Sequence, residues 1–243
     1  MQHEISAVLF DKDGTLFDFQ ATWAAVADET LERLAPDPAL RGRLAALGGY
    51  DPLRREFATG APLVAGSVRE TAEIWGPLLP DWSIDEIEEL ADRIAIEAAL
   101  SGCLVPAVPD LPGFLAGLKD RGYALGIATH DSYDSTLNQV QAAGADGLFS
   151  FIAGYDSGFG LKPEPGMLMA FSEQTGHRPQ HIAVVGDSIG DLAMVSNSGA
   201  GLAIGVLSGP AREADLAPHA DHVIETIAGL PEILALHNSA VAR

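Results

Sequence analysis

Residues 5–16 read Ile-Ser-Ala-Val-Leu-Phe-Asp-Lys-Asp-Gly-Thr-Leu, a short apolar run followed by an acidic turn. The apolar part has the pattern of a strand buried on both faces of a parallel sheet. Asp11 and Asp13 follow this strand, and Gly14 permits a sharp turn after them. Two carboxylates at the end of a buried strand repel each other, so a hard cation that takes oxygen ligands, such as Mg2+, would stabilise them.

The Asp-x-Asp-Gly pattern occurs in several kinds of loop, which the neighbouring residues help to distinguish. A solvated turn would account for the pattern without any function. An EF-hand calcium loop would need a glycine at Leu16 and a glutamate at Thr22, so it is excluded. A nucleotide-binding P-loop needs Gly-x-x-x-x-Gly-Lys, which occurs nowhere in the chain. A metal site and a solvated turn remain as the two interpretations.

The composition indicates a globular protein with a strongly acidic character. Its 243 residues are 47% hydrophobic, and the net charge is −20. This charge argues against nucleic acid and anionic membranes as partners. The single cysteine, Cys103, cannot form an internal disulfide, and we find neither a secretion signal nor an apolar run of the roughly 20 residues that span a membrane. We therefore expect a cytoplasmic protein, while the oligomeric state stays open.

The part of the chain after the acidic turn has helical patterns only. Residues 18–103 are rich in alanine and leucine and contain no strand candidate. Helices are predicted at 20–35, at 38–48, from about Pro52 and at 83–100. The small residues 58–67 predict a loop between helices, and the proline-rich residues 105–112 predict a connector.

Strands and helices alternate in the rest of the chain. Strands are predicted at 123–129, 148–153, 182–186, 201–206 and 222–224, and helices at 131–143, 163–175 and 189–198. This alternation is typical of an α/β fold with a doubly wound parallel sheet, which binds ligands beyond the carboxyl ends of its strands. We predict an α/β core domain at 1–17 and 104–243, with an inserted all-helical cap domain at 18–103.

Polar residues follow four strands of the predicted sheet. They are Asp11 and Asp13, Thr129, Lys162, and Asp187 with Asp191. Each could have a purely structural role, as a helix cap, a solvated lysine or an acid at a helix start. Because the carboxyl ends of parallel strands share one edge of the sheet, we expect these side chains to meet. Carboxylates, a hydroxyl and a lysine together predict a site for a metal ion and a phosphate group.

These motifs resemble the haloacid dehalogenase-like hydrolase superfamily, and specifically its phosphatases similar to phosphoglycolate phosphatase. The matching stretches are Asp-Lys-Asp-Gly-Thr-Leu at 11–16, Ile-Ala-Thr at 127–129, Lys162-Pro163, and Gly-Asp-Ser-Ile-Gly-Asp at 186–191. The helical insertion is similar to the helical cap of that family. The resemblance implies a Mg2+-dependent phosphatase that hydrolyses a small phosphate monoester, such as phosphoglycolate or a sugar phosphate.

The resemblance also implies roles for the three acids. Asp11 would attack phosphorus and form an aspartyl-phosphate. Asp13 would protonate the leaving alkoxide and later activate water. Mg2+ would be held by the Asp11 carboxylate, the backbone carbonyl of Asp13 and Asp187.

Phosphate binding is assigned by the same resemblance. Thr129 and the amides near Gly14 would bind phosphate oxygens. Lys162 would neutralise the charge that develops during transfer, and Asp191 would position this lysine or support the metal. In the cap, the candidates for substrate contact are Arg54, Arg55, Thr59 and Ser67.

Two positions depart from the family pattern. Lys12 stands where the family usually has an apolar residue. A lysine beside the nucleophile either raises the affinity for phosphate or points to solvent, and we favour solvent. His130 stands where the family often has asparagine, which makes it a candidate for substrate contact.

Three further functions stay open at this stage. Residues 186–190 also match Gly-x-Ser-x-Gly, the nucleophile elbow of serine hydrolases, with His219, His222 and His237 downstream as possible bases. A serine hydrolase would leave Asp11 and Lys162 without a role. A phosphomutase shares the fold and motifs of the phosphatases. A non-catalytic relative that binds a phosphorylated ligand is not excluded by the fold alone.

Overall fold

The computed structural model describes residues 3–58, 60–101 and 104–241. Thr59 and Cys103 lie outside these described residues. The described strands are β1 Ala7–Phe10, β2 Tyr50–Asp51, β3 Glu56–Phe57, β4 Ala124–Ala128, β5 Phe151–Ala153, β6 Ile182–Gly186, β7 Leu202–Val206 and β8 His222–Ile224. The described α-helices are α1 Phe19–Leu34, α2 Pro38–Gly48, α3 Pro62–Ala65, α4 Val68–Trp75, α5 Ile84–Leu100, α6 Leu111–Asp120, α7 Tyr133–Ala142, α8 Gly166–Thr175, α9 Ile189–Ser198, α10 Glu213–Leu216 and α11 Leu230–Val241.

Six strands form one parallel sheet in the order β5-β4-β1-β6-β7-β8. Strand β1 lies between β4 and β6, with Ala7 opposite both Ala124 and Ile182. All four residues of β1 are buried because helices cover both faces of the sheet. Alternate side chains of β1 join different hydrophobic clusters, Val8 on one face and Leu9 on the other. The predicted α/β fold with a doubly wound parallel sheet is therefore confirmed.

The helical segment between β1 and β4 has a hydrophobic core of its own. Helices α1, α2, α4 and α5 contribute Leu31, Leu44, Trp75 and Ile94 to a cluster that is separate from the clusters under the sheet. Helix α5 also packs against α7 of the sheet region. A separate core supports the predicted cap at 18–103, whose exact bounds stay a prediction.

The expected helix from about Pro52 is wrong. Residues 50–57 form a small hairpin in which β2 and β3 pair antiparallel, so the segment also contains strands that the sequence pattern did not predict. The Asp51 carboxylate accepts hydrogen bonds from the backbone N–H groups of Leu53 (2.9 Å) and Arg54 (3.2 Å). Such side-chain bonds compete with helix formation and stabilise a turn instead.

Two short helices lie in segments predicted as irregular. Helix α3 lies inside the predicted loop 58–67 and begins with a proline, which is favourable in a first turn. Helix α6 begins inside the predicted connector, with Asp110 capping it through the backbone N–H of Gly113 (3.0 Å). Among the described residues, no helix is both long enough and apolar enough to cross a membrane.

Candidate active site

Three elements bring a lysine and two carboxylates together at the carboxyl edge of the sheet. Asp11 follows β1, Lys162 precedes α8, and Asp191 lies in the first turn of α9. The Lys162 ammonium is 2.6 Å from Oδ1 of Asp11 and 2.7 Å from Oδ1 of Asp191. It also donates to the backbone carbonyl of Ala128 at the end of β4 (3.2 Å). The lysine is thus fixed by partners from three different elements.

A group of buried acids at this edge has the arrangement of a metal site. Asp11, Asp187 and Asp191 each offer an oxygen within 4.8 Å of the others. Two glycines crowd the Asp187 carboxylate, since a Cβ atom on Gly14 would lie 2.5 Å from its Oδ2 and one on Gly209 would lie closer still. Three buried carboxylates fit a hard cation with oxygen ligands.

Burial and mutual repulsion raise the pKa values of Asp11 and Asp187. Burial raises the pKa of Asp11 to about 7, although Lys162 lowers it, and Asp191 and Asp13 raise it further. Burial also raises the pKa of Asp187 well above its ordinary value, and the neighbouring Asp11 and Asp191 add to this shift. Neighbouring carboxyl groups in a buried site stay protonated unless a cation neutralises their negative charge. A bound divalent cation would keep these groups ionised.

Asp191 has two partners that fix its position. One oxygen pairs with Lys162, and the other accepts hydrogen bonds from the backbone N–H (3.0 Å) and the hydroxyl (2.6 Å) of Ser188. The Ser188 hydroxyl in turn accepts a bond from the backbone N–H of Asp191, so this pair is a capping box at the start of α9. Ser188, the nucleophile in the serine-hydrolase alternative, is therefore engaged in capping.

The residues predicted to bind phosphate differ in whether their hydrogen-bond donors are already used within the protein. Thr129 is buried at the end of β4, where its hydroxyl oxygen accepts from the backbone N–H of Asp131 (3.1 Å) and keeps its own proton as a donor. The Gly14 N–H, expected to reach a phosphate oxygen, donates instead to the Phe17 carbonyl (2.7 Å). The positive φ of Gly14 (85°) folds the turn back on itself. His130 lines the same cavity as Thr129.

The expectation that Lys12 points to solvent is wrong. Its side chain is fully buried, and its ammonium lies 2.5 Å from Asp13, 3.1 Å from Asp131 and 2.5 Å from Oε1 of Gln139. Burial by itself would lower the pKa of Lys12, but Asp13 and Asp131 outweigh it and raise the pKa above the ordinary value. Lys12 therefore stays charged and joins the end of β1 to α7.

Asp13 is held from both the core and the cap. One carboxylate oxygen pairs with Lys12, and the other accepts a hydrogen bond from the indole N–H of Trp23 on α1 (2.7 Å). The Trp23 ring also lies 5.2 Å from the Lys12 ammonium, within range of a cation–π contact. Trp23, Asp131 and Gln139 were not predicted as site residues, because their contacts depend on which helix faces pack against the turn after β1.

A cavity of about 130 Å³ extends from the carboxylates into the helical segment. Asp11, Asp13 and Lys162 line its floor. Ser67, a predicted contact in the cap, lines its wall, but its hydroxyl caps α4 by accepting from the backbone N–H of Glu70 (3.1 Å). Arg54 and Arg55, the predicted cationic contacts, are not among its lining residues; they are exposed and pair with Asp51 and Asp28.

The fold and site define a class of α/β enzymes that gather carboxylates and a lysine where a central strand ends. A family model described as haloacid dehalogenase-like hydrolase matches residues 5–199. The chain therefore belongs to the haloacid dehalogenase-like hydrolase family, as its motifs predicted.

Several relatives are similar over most of their length. Phosphoglycolate phosphatase from Escherichia coli (strain K12) is 30% identical over 203 residues, which cover 81% of this chain and 79% of that protein. The phosphoglycolate phosphatase from Salmonella choleraesuis (strain SC-B67) is 29% identical over 202 residues, covering 80% and 79%. These matches confirm the predicted enzyme class, a phosphoric monoester hydrolase.

Solved structures share the fold at lower identity. A predicted phosphoglycolate phosphatase from Haemophilus somnus 129pt superposes with a TM-score of 0.71 at 19% identity, over 95% of this chain and 98% of that one. A β-phosphoglucomutase from Clostridium difficile gives a TM-score of 0.67 at 18% identity, over 98% and 100%. Because both mutases and phosphatases have this fold, it does not decide between them.

Proposed function

We propose that this protein is a Mg2+-dependent phosphatase that hydrolyses a small phosphate monoester through an aspartyl-phosphate intermediate. The observation that carries the proposal is the position of Asp11, paired with Lys162 and within 4.8 Å of two further acids. The phosphatase relatives support the same chemistry. Phosphoglycolate and sugar phosphates are the esters that the motif resemblance suggests.

In this mechanism Asp11 attacks phosphorus while Lys162 balances the charge on the phosphoryl oxygens. Asp11, Asp187 and the backbone carbonyl of Asp13 would hold Mg2+, with Asp191 as a supporting acid, and the bound ion would supply further positive charge at the phosphate. The Thr129 hydroxyl donates to a phosphoryl oxygen.

Asp13 carries the proton transfers. In its protonated form it donates to the departing alkoxide, and as a carboxylate it then accepts a proton from the water that hydrolyses the intermediate. Burial raises the pKa of Asp13, although Lys12 lowers it, and Asp131 raises it further. A raised pKa suits a group that has to carry a proton near neutral pH.

The predicted cap at 18–103 belongs to this proposal as the part that excludes water and contacts the alcohol side of the ester. The indole contact of Trp23 with Asp13 supports this arrangement, since it links the helical segment to the acid that protonates the leaving group. A small-molecule substrate and a cytoplasmic location are part of the same proposal. The net charge of −20 disfavours nucleic acid as a substrate, and the small size of the cavity favours a small molecule.

The proposal is tested by hydrolysis of p-nitrophenyl phosphate with EDTA and with added Mg2+. We expect EDTA to abolish turnover and Mg2+ to restore it. Asp11→Asn should also abolish the acid-stable label that a ³²P-labelled substrate leaves on the protein, whereas Asp120→Asn at the exposed end of α6 should keep it. Full turnover without metal would refute the metal site, and a labelled Asp11→Asn would refute the nucleophile.

A sugar-phosphate acceptor and a binding measurement separate the two alternative functions. Transfer of the phosphoryl group to a second sugar phosphate, in preference to water, would identify a phosphomutase. A protein that binds phosphate esters but hydrolyses none of them at any Mg2+ concentration would be a non-catalytic relative.

A further inference from the structure

The cap side of the cavity is lined by apolar side chains. They include Phe19, Trp23, Phe57, Leu63, Trp75 and Ile87. They come from α1, β3, α3, α4 and α5, so the hydrophobic core of the helical segment opens directly onto the catalytic carboxylates. The phosphoryl group has charged partners at the floor, and the alcohol part of the ester has to lie against this apolar wall.

Positive charge is confined to the floor of the cavity. Among the lining residues that the structure describes, Lys162 is the sole lysine or arginine, and Asp11 and Asp191 already bind it. The described arginines of the cap that form ion pairs do so outside the cavity, with Glu29, Glu97, Glu32, Asp51, Asp28, Glu73, Asp85 and Glu88. A carboxylate on the alcohol part would therefore be buried without an ammonium or guanidinium partner.

Among the described residues of the cap, few hydroxyl groups line the cavity. The cap contributes Thr30, Ser67 and Thr71 to the lining. Ser67 caps α4, and Thr71 donates to the backbone carbonyl of Pro62 (3.5 Å). A sugar ring would bury several hydroxyls against apolar carbon, and each unpaired hydroxyl costs free energy.

We propose that the substrate is a phosphate monoester of an apolar alcohol, with an aromatic ring or a branched alkyl group. This inference rests on the proposed phosphatase activity and assigns the substrate class of that site. The cavity of about 130 Å³ compares with the roughly 150 Å³ of an apolar cavity that binds benzene. Because the phosphoryl group occupies part of this volume at the floor, the alcohol part has to be compact, and it excludes water from Asp13 when it is bound.

The first test is a panel of esters on the unmodified protein. Benzyl phosphate, 2-phosphoglycolate and glucose 6-phosphate all release a primary alkoxide, so their demand for a proton from Asp13 is matched. We expect kcat/KM for benzyl phosphate to exceed the other two by at least about tenfold, the range that apolar contacts in an enzyme pocket provide. Benzylphosphonate cannot be hydrolysed, so its inhibition of acetyl phosphate hydrolysis measures the binding of the benzyl group without the chemical step.

Two cap variants test whether the cavity sets this preference. Ala91→Leu fills the cavity and should lower kcat/KM for benzyl phosphate on the order of tenfold, with acetyl phosphate hydrolysis retained. Its control is Ala98→Leu on the same helix, at a position that does not line the cavity.

A second variant adds the missing cation. Val64→Arg should improve hydrolysis of 2-phosphoglycolate relative to benzyl phosphate, because a guanidinium would then face the carboxylate. Leu53→Arg, on the exposed hairpin, should leave the ranking unchanged. These variants are independent of Ala91→Leu, so a folding failure in one leaves the other decisive.

The outcomes separate this inference from the proposed function. If the unmodified protein hydrolyses acetyl phosphate but prefers 2-phosphoglycolate or glucose 6-phosphate to benzyl phosphate, the apolar substrate class is wrong and the phosphatase stands. The substrate class is also wrong if Ala91→Leu and Ala98→Leu rank the esters identically. If no ester, including acetyl phosphate, is hydrolysed, the proposed function fails and the substrate class with it.

Discussion

Two buried lysines hold the acids at the sheet edge, and their surroundings differ. Lys162 pairs with Asp11 and Asp191, whose oxygens also face the candidate metal position. Lys12 pairs with Asp13 and Asp131 and also donates to Gln139. Lys162 lines the cavity, whereas Lys12 is not among the residues that line it. In the proposed mechanism Lys162 therefore meets the phosphoryl group, and Lys12 acts through Asp13.

The largest effect should come from Lys162→Met. We expect kcat/KM to fall on the order of 10²–10³-fold, as when one preorganised donor to transition-state charge is removed. The loss also raises the pKa of Asp11 further, because Lys162 now lowers it, so less of the nucleophile is ionised at neutral pH. Turnover of p-nitrophenyl phosphate measures the effect.

The matched control for this prediction is Lys119→Met at the surface of α6, where the lysine donates to the Gly147 carbonyl. Its turnover should equal that of the unmodified protein. A folded Lys162→Met variant with undiminished kcat/KM would contradict the role of this lysine.

Lys12→Met should have a smaller effect on turnover and a different signature. Without Lys12 the pKa of Asp13 rises, because the lysine now lowers it. A smaller fraction of Asp13 is then ionised at a given pH and able to accept a proton from water, so the aspartyl-phosphate should accumulate. We expect turnover to fall by up to about 10²-fold and to recover as the pH is raised. Rapid-quench labelling with ³²P measures the intermediate, and Lys162→Met should accumulate none.

The free energy of unfolding also tests the role of Lys12. Lys12→Met leaves Asp13 and Asp131 buried without their cation, which should cost about 3–5 kcal/mol of the free energy of unfolding. Adding Asp131→Asn removes one of the two carboxyl groups that Lys12 paired with and should restore part of that loss in urea titrations. If the double variant is no more stable than Lys12→Met alone, the ion pair between Lys12 and Asp131 does not contribute.

The sequence predicted the groups around Lys162, but of those around Lys12 it predicted Asp13 and neither Asp131 nor Gln139, for a physical reason. Asp11, Lys162 and Asp187 each follow a buried strand, and parallel strands bring their carboxyl ends to one edge. The partners of Lys12 on α7 and before it depend on which helix face meets β1, and periodicity does not give that packing. The sequence therefore shows Lys12 beside Asp13 but does not show its contacts with Asp131 and Gln139 or its burial.

The helical segment was harder to predict than the sheet. The long amphipathic helix α5 and its N-terminal capping box follow from the sequence pattern. Ser83 and Glu86 form the expected reciprocal hydrogen bonds. The hairpin at 50–57 does not follow from the pattern, because it depends on Asp51 bonding to its own turn. The apolar wall of the cavity is also hidden, because core residues and cavity residues of a helix have the same composition.

The smallest predicted effect concerns Asp92 on α5, the helix that packs against α7 near the partners of Lys12. The pKa of Asp92 is raised to about 7, chiefly by burial. The negative charges of Asp131, Glu88 and Asp156 also raise it, whereas a hydrogen bond with Ser132 lowers it. Asp92 binds its proton more tightly in the folded chain than in the unfolded one. The folded state is therefore favoured at low pH, and this advantage is lost as the pH rises from about 4 to about 7.

Asp92→Asn removes this ionisation, so the variant should exceed the unmodified protein in stability above neutral pH. Because the side chain is partly exposed, we expect a gain on the order of 1 kcal/mol at about pH 8, which disappears near pH 4. Urea unfolding at the two pH values measures it, with Asp85→Asn on the exposed face of the same helix as the control. An equal gain at both pH values would mean that asparagine improves packing and that ionisation of Asp92 costs no stability. A gain confined to high pH would show that burial and the neighbouring acids, Asp131 among them, disfavour the ionised form of Asp92.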